Sequence, residues 1–243
     1  ATDAGGLSYN ETFTITVTNV NEAPTDIALS NSTLPENTDT TGGLAVGNLS
    51  ATDVDAGEWF TYAVVGGADA GVFSISGNQL VITDGVLDFE TQNSYAVDVE
   101  VTDQGGTGLS FTRTFTITVT DVNEAPTDLA VDNLTVAENT AGAVIGNVSV
   151  TDVDVGDTHA YTVSDARFEV VGGQLKLVAG QSLDFEAEPS VNVIITATDA
   201  GGLSYNETFT ITVTNVNEAP TDIALSNSTL PENTDTTGGL AVG

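Results

Sequence analysis

The sequence predicts an all-β chain, a linear array of tandem seven-stranded Greek-key β-sandwich domains. Three observations predict it. Apolar residues alternate with polar ones over short runs, no stretch sustains the 3.6-residue period of a helix, and the chain repeats at a length that suits one sandwich per repeat.

The alternation is clearest at Thr112 to Thr120, where Phe115, Ile117 and Val119 are separated by threonines. Successive side chains on a strand point to opposite faces, so this run has one apolar and one wet face. Thr12 to Thr18 and Thr208 to Thr214 carry the same pattern and are also predicted strands. Tyr95, Val97, Val99 and Val101 alternate with Ala96, Asp98 and Glu100, and Gly-rich punctuation separates about seven such runs per repeat.

The repeats set the domain plan. Ala1 to Gly47 returns unchanged as Ala197 to Gly243, an offset of 196 residues. Inside that offset the run Asn21-Glu22-Ala23-Pro24 recurs at Asn123-Glu124-Ala125-Pro126 and at Asn217-Glu218-Ala219-Pro220, at spacings of 102 and 94. Two related domain types therefore alternate. Residues 1–22 are expected to be the C-terminal tail of a preceding domain. Residues 23–124 and 125–218 are expected to be two complete domains, and 219–243 the N-terminal part of a following one.

Thirty-five acidic residues against three basic ones give a formal charge of -32, which excludes partners that need a basic surface, such as nucleic acid. Cations are the expected partners. With 40% of its residues apolar and regularly placed, the chain is expected to fold despite that charge. It has no Cys, so disulfides and thiolate metal sites are excluded, and no apolar run approaches the roughly 20 residues of a membrane-spanning helix.

The acids gather in five short motifs at turns and strand ends. The first complete domain has Pro35-Glu36-Asn37, Asp53-Val54-Asp55, Leu87-Asp88-Phe89-Glu90, Asp103-Gln104-Gly105-Gly106 and the exit segment Asp121-Val122-Asn123-Glu124-Ala125-Pro126. The second has Ala137-Glu138-Asn139, Asp152-Val153-Asp154, Leu183-Asp184-Phe185-Glu186, Asp199-Ala200-Gly201-Gly202 and Asn215-Val216-Asn217-Glu218-Ala219-Pro220.

In this order the motifs resemble the cadherin repeat, in particular the bacterial cadherin-like modules of giant repetitive surface adhesins. The resemblance implies calcium bound where consecutive domains meet. At the central junction it implies Glu36, Asp88, Glu90, Asp121, Asn123 and Glu124 from one domain with Asp152, Asp154 and Asp199 from the next. The preceding junction would use Asn21 and Glu22 with Asp53, Asp55 and Asp103, and the following one Glu138, Asp184, Glu186, Asn217 and Glu218. The resemblance also implies three ions at a junction. Cadherin exit segments usually read Asp-x-Asn-Asp-Asn-x-Pro; this one is a residue shorter and has Glu124 at the second acid.

The residue types support calcium independently of the family. Calcium takes six to eight oxygen ligands in flexible geometry, whereas zinc and copper favour Cys and His, of which the chain has none and one. Two carboxylates about 6 Å apart repel by about 0.7 kcal/mol in water and by about 3 kcal/mol at an effective dielectric of 20. A junction rich in them is expected to splay without ions and to stiffen with them. The junctions that begin with Asn19 and Asn215, where the central one has Asp121, lose one charge and are expected to bind calcium more weakly.

His159, aligned with Phe60, is expected to be incidental, and Trp59, aligned with Thr158, a partly buried strand aromatic. A lone His and no Cys rule out a recurring nucleophile and base, so no enzyme is expected. The expected function is that of calcium-stiffened extender or stalk repeats of an extracellular adhesin or surface fibre. Its partners would be neighbouring repeats and identical chains. The alternative is a homophilic or carbohydrate-binding adhesion module.

Overall fold

A computed structural model describes residues 1–103 and 108–239. Gln104, Gly105 and Gly106 of the fourth acidic motif, and the end of the 219–243 segment, lie outside the described residues. The chain divides into two compact units, Ala1–Asn123 and Glu124–Gly243.

The first unit holds eight strands: β1 (Asp26–Leu29), β2 (Thr33–Pro35), β3 (Leu44–Thr52), β4 (Phe60–Gly66), β5 (Phe73–Ser76), β6 (Gln79–Ile82), β7 (Ser94–Asp103) and β8 (Ser110–Thr120). One sheet has the order β1-β3-β6-β5 and the other β2-β8-β7-β4; only β2 and β8 run parallel. The second unit repeats this with β9 (Asp128–Val131), β10 (Thr135–Ala137), β11 (Val144–Thr151), β12 (Ala160–Val163), β13 (Phe168–Val171), β14 (Gln174–Leu177), β15 (Ser190–Thr198) and β16 (Ser204–Thr214). Each unit is thus a two-sheet sandwich, as the alternation predicts.

The eighth segment arises because the first strand crosses between sheets. Asn31 sits at the crossing, and its amide donates to the carbonyls of Thr33 at 2.8 Å and Val46 at 3.1 Å. The backbones approach so closely there that a Cβ on Gly47 would lie 2.8 Å from Asn31 N. Asn133 and Gly146 repeat the device in the second unit.

The predicted alternation builds the cores. Tyr95, Val97, Val99 and Val101 of β7 and Phe115, Ile117 and Val119 of β8 are buried against Ile27, Leu80 and Ile82 of the facing sheet. Val191, Val193, Ile195, Phe209, Ile211 and Val213 do the same against Leu129, Leu175 and Leu177.

Two expectations are corrected. Thr12 to Thr18 is not a strand, although β16 contains the identical sequence. Ile211 is fully buried in β16 while its copy Ile15 is 87% exposed. A strand takes its hydrogen bonds from its neighbours, and among the described residues Thr12 to Thr18 has none beside it. Trp59 precedes β4 instead of lying within a strand and is 64% exposed, because the neighbouring Phe60 takes the place against the core.

Candidate metal centres

The acidic motifs fall at the two ends of each sandwich, because each sits where a strand begins or stops. In the first unit, one end gathers the exit segment Asn19–Glu22, the loop after β3 with Asp53 and Asp55, and Asp103 at the end of β7. The Asn19 amide donates to Asp55 Oδ1 at 2.6 Å, the Glu22 N–H to Asp55 Oδ2 at 2.8 Å, and the Asn21 amide to Asp103 Oδ2 at 3.1 Å. The Glu22 N–H and the Asn19 amide hold the Asp55 carboxyl below the usual carboxylate range. Loss of surrounding water, then the charges of Asp55 and Asp53, push that of Glu22 up.

Asp53, Glu58 and Asp103 bring one oxygen each within 4.8 Å of one another. Asp103 is fully buried, and both its Oδ1 and Asp53 Oδ2 are buried without a hydrogen-bond partner. A buried carboxylate oxygen with no donor carries a desolvation cost that a bound cation would remove. Glu58 lies outside the five motifs. The signal for it is that its counterpart Asp157 is also acidic, three residues after the second Asp of the pair.

At the other end of this unit Glu36 is buried and accepts the N–H groups of Phe89 at 2.8 Å and Val122 at 2.7 Å. It ties the third motif to the exit segment. Asn37 follows at φ 59°, a left-handed conformation that Asn adopts more readily than most residues. Asp88 is engaged with its own turn, accepting from Thr91 N and Thr91 Oγ1, each at 2.8 Å. Glu90 and Asp121 are exposed, and Asn123 is half-buried.

The second unit repeats these arrangements. The Glu124 N–H donates to Asp154 Oδ2 at 2.9 Å, matching Glu22 on Asp55, and Asp199 Oδ1 accepts from Leu203 N at 2.8 Å. Asp154 Oδ1 is buried without a hydrogen-bond partner. Asp152 accepts a hydrogen bond from His159 Nε2 at 2.8 Å. At the other end Glu138 accepts from Phe185 N and Val216 N, each at 2.7 Å. Glu138, Glu186 and Glu218 place oxygens within 4.8 Å of one another. Loss of water, then the charges of Glu138, Glu218 and Asp184, push the Glu186 carboxyl up. Asp184 turns to Ala187 N, and Asn217 is exposed.

The three basic side chains are all used elsewhere: Arg113 on Asp26, Arg167 on Asp165 and Glu188, and Lys176 on Glu169. None of those acids belongs to the five motifs, so the clusters have no Lys or Arg to neutralise them. Oxygen-rich, cation-free and partly buried, the Asp53 cluster fits calcium by donor type.

Residues 30–120 match a family model described as Cadherin domain. The chain is 30% identical over 254 residues to protocadherin beta-1 of Homo sapiens, an alignment covering 96% of this chain and 31% of that protein. Among solved structures, the protocadherin gammaB4 extracellular domain superposes with a TM-score of 0.64 at 28% identity, covering 82% of this chain and 34% of that one. The protocadherin gammaB7 EC3-6 cis-dimer structure gives 0.62 at 31% identity, covering 80% and 48%. The chain spans less than half the length of each. Its sandwiches are cadherin-like in sequence and in fold.

Proposed function

We propose that this chain of cadherin-like sandwiches is a run of calcium-stiffened extender repeats from an extracellular adhesin or surface fibre. The observation that carries the proposal is the Asp53, Glu58 and Asp103 cluster, in which two buried carboxylate oxygens lack a hydrogen-bond partner. Calcium there would draw in Asp55 and Asn21, and with them the exit segment that precedes the sandwich. The resemblance extends the same role to the ends of both sandwiches, with calcium shared between neighbouring repeats.

On this proposal residues 1–22, 23–124, 125–218 and 219–243 are consecutive repeats of one array, and the bacterial affiliation rests on the resemblance of the motifs. The protein's partners are its own neighbouring repeats and identical chains in a fibre. The test is calcium titration of the chelator-treated chain, followed by melting temperature and small-angle scattering. Calcium should raise the melting temperature and lengthen the particle, and Asp53→Asn with Asp103→Asn should remove part of the heat of binding. A chain with the same stability and dimensions with and without calcium would refute the proposal.

Exposed Trp59 favours a second reading, carbohydrate binding by aromatic stacking. Glycan-array binding that Trp59→Ala abolishes would establish it.

A further inference from the structure

We propose that Asp152, Asp157 and His159 form a site for a first-row transition-metal dication, with zinc as its probe. The second unit has this site and the first lacks it. The chain's one histidine is not incidental in place: its ring faces Asp152 Oδ2 at 2.8 Å, and the two side chains are only 11% and 5% exposed. One ligand atom from each of the three residues lies within 4.8 Å of the other two.

The imidazole sets this cluster apart from an all-oxygen calcium site, and zinc here would take Asp152 out of the calcium set proposed for that end. Calcium needs six to eight oxygens, and an imidazole nitrogen is a poor donor to it. Zinc takes nitrogen at about 2.0 Å and carboxylate oxygen at about 2.0 to 2.2 Å and is content with three protein ligands and a water. Two carboxylates and one neutral imidazole match its charge and donor preference. In the proposed bound state the metal replaces the proton shared by His159 and Asp152, so both donors turn to the same ion.

The sister domain supplies the contrast. There Asp53, Glu58 and Phe60 stand where Asp152, Asp157 and His159 stand here, and Phe60 packs against the hydrophobic core. The first unit thus keeps an oxygen-only cluster, Asp53, Glu58 and Asp103, while the second gains a nitrogen donor. Two alternating domain types would then differ in the metal they select as well as in charge.

Because His159 is the only histidine among these 243 residues, its ring signals in the nitrogen-15-labelled chain need no assignment. One equivalent of zinc added to the chelator-treated chain should shift the His159 Nε2 resonance, while an equal amount of calcium should leave the ring nitrogens unligated. His159→Phe installs the residue the sister domain already tolerates, and Asp157→Asn alters an irregular loop. Each should weaken zinc binding by about 10- to 100-fold in calorimetry, the range seen even for outer partners of metal ligands. Calcium titration of the same variants is read separately, so failure of the calcium proposal and of this one are distinguishable. Ring resonances unmoved by stoichiometric zinc, or zinc affinity unchanged in both variants, would overturn the proposal.

Discussion

The carboxylate of Glu36 accepts the backbone N–H of Val122 at 2.7 Å from inside the sandwich, with its second oxygen on Phe89 N. A residue read from the sequence as a metal ligand is therefore also a structural bracket. Glu36→Ala removes two charge-assisted hydrogen bonds and leaves two N–H groups without their acceptor. The expected loss is about 3 kcal/mol in calcium-free urea denaturation. Glu138→Ala should cost a similar amount, since Glu138 makes the same pair of bonds in the second unit.

The duplicated segment allows one substitution to be compared in two settings. Ile211→Ala, in a fully buried position of β16, should destabilise the second sandwich by about 2–5 kcal/mol. Ile15→Ala changes the identical residue where it is exposed and should leave the urea midpoint unchanged.

Asn19 donates an amide hydrogen to Asp55, a bond that an aspartate could not make. Asn19→Asp would add a sixth carboxylate beside Glu22, Asp53, Asp55, Glu58 and Asp103. It should lower calcium-free stability and raise calcium affinity at that end by about tenfold, since charge count tunes calcium sites. Calorimetry that shows the same affinity before and after the change would contradict the role given to Asn19.

The Arg167 guanidinium holds the Asp165 carboxyl below its ordinary value by hydrogen bonding and charge. A depressed carboxyl contributes stability that is present above its ordinary value of 3.8 and fades as the pH falls through the lowered one. Asp165→Asn should therefore cost about 1 kcal/mol near neutral pH, given the partial exposure of the pair. The difference from the parent should close in strong acid, as read from pH-dependent urea midpoints.

The alternation of Tyr95 to Val101 and of Phe115 to Val119 was enough to identify two central strands and the apolar face of each. The crossing of the first strand at Asn31 was not legible, because it depends on where Gly47 lets two distant backbones meet. The motifs located the ends of each sandwich, but not which oxygens are free. Asp88 and Asp184 serve their own turns, while Asp53 and Asp103 converge with Glu58. Nor was the pairing of His159 with Asp152 legible. Alignment with Phe60 matched the position, whereas the contact depends on how the loop after β11 folds back. Trp59 was misplaced for a related reason, since periodicity cannot say which of two adjacent aromatics faces the core.

The residues that form β16 exist in two copies, and β15 and β10 would find the same hydrogen bonds and the same apolar face in either. Complementarity therefore cannot tell Ser8–Thr18 from Ser204–Thr214. Connectivity can: β16 follows β15 after five residues, so its local concentration far exceeds that of any distant copy. Correct assembly of such an array is a matter of which copy arrives first. Its characteristic failure would be a sandwich closed with a borrowed strand, native in every contact and wrong only in its owner.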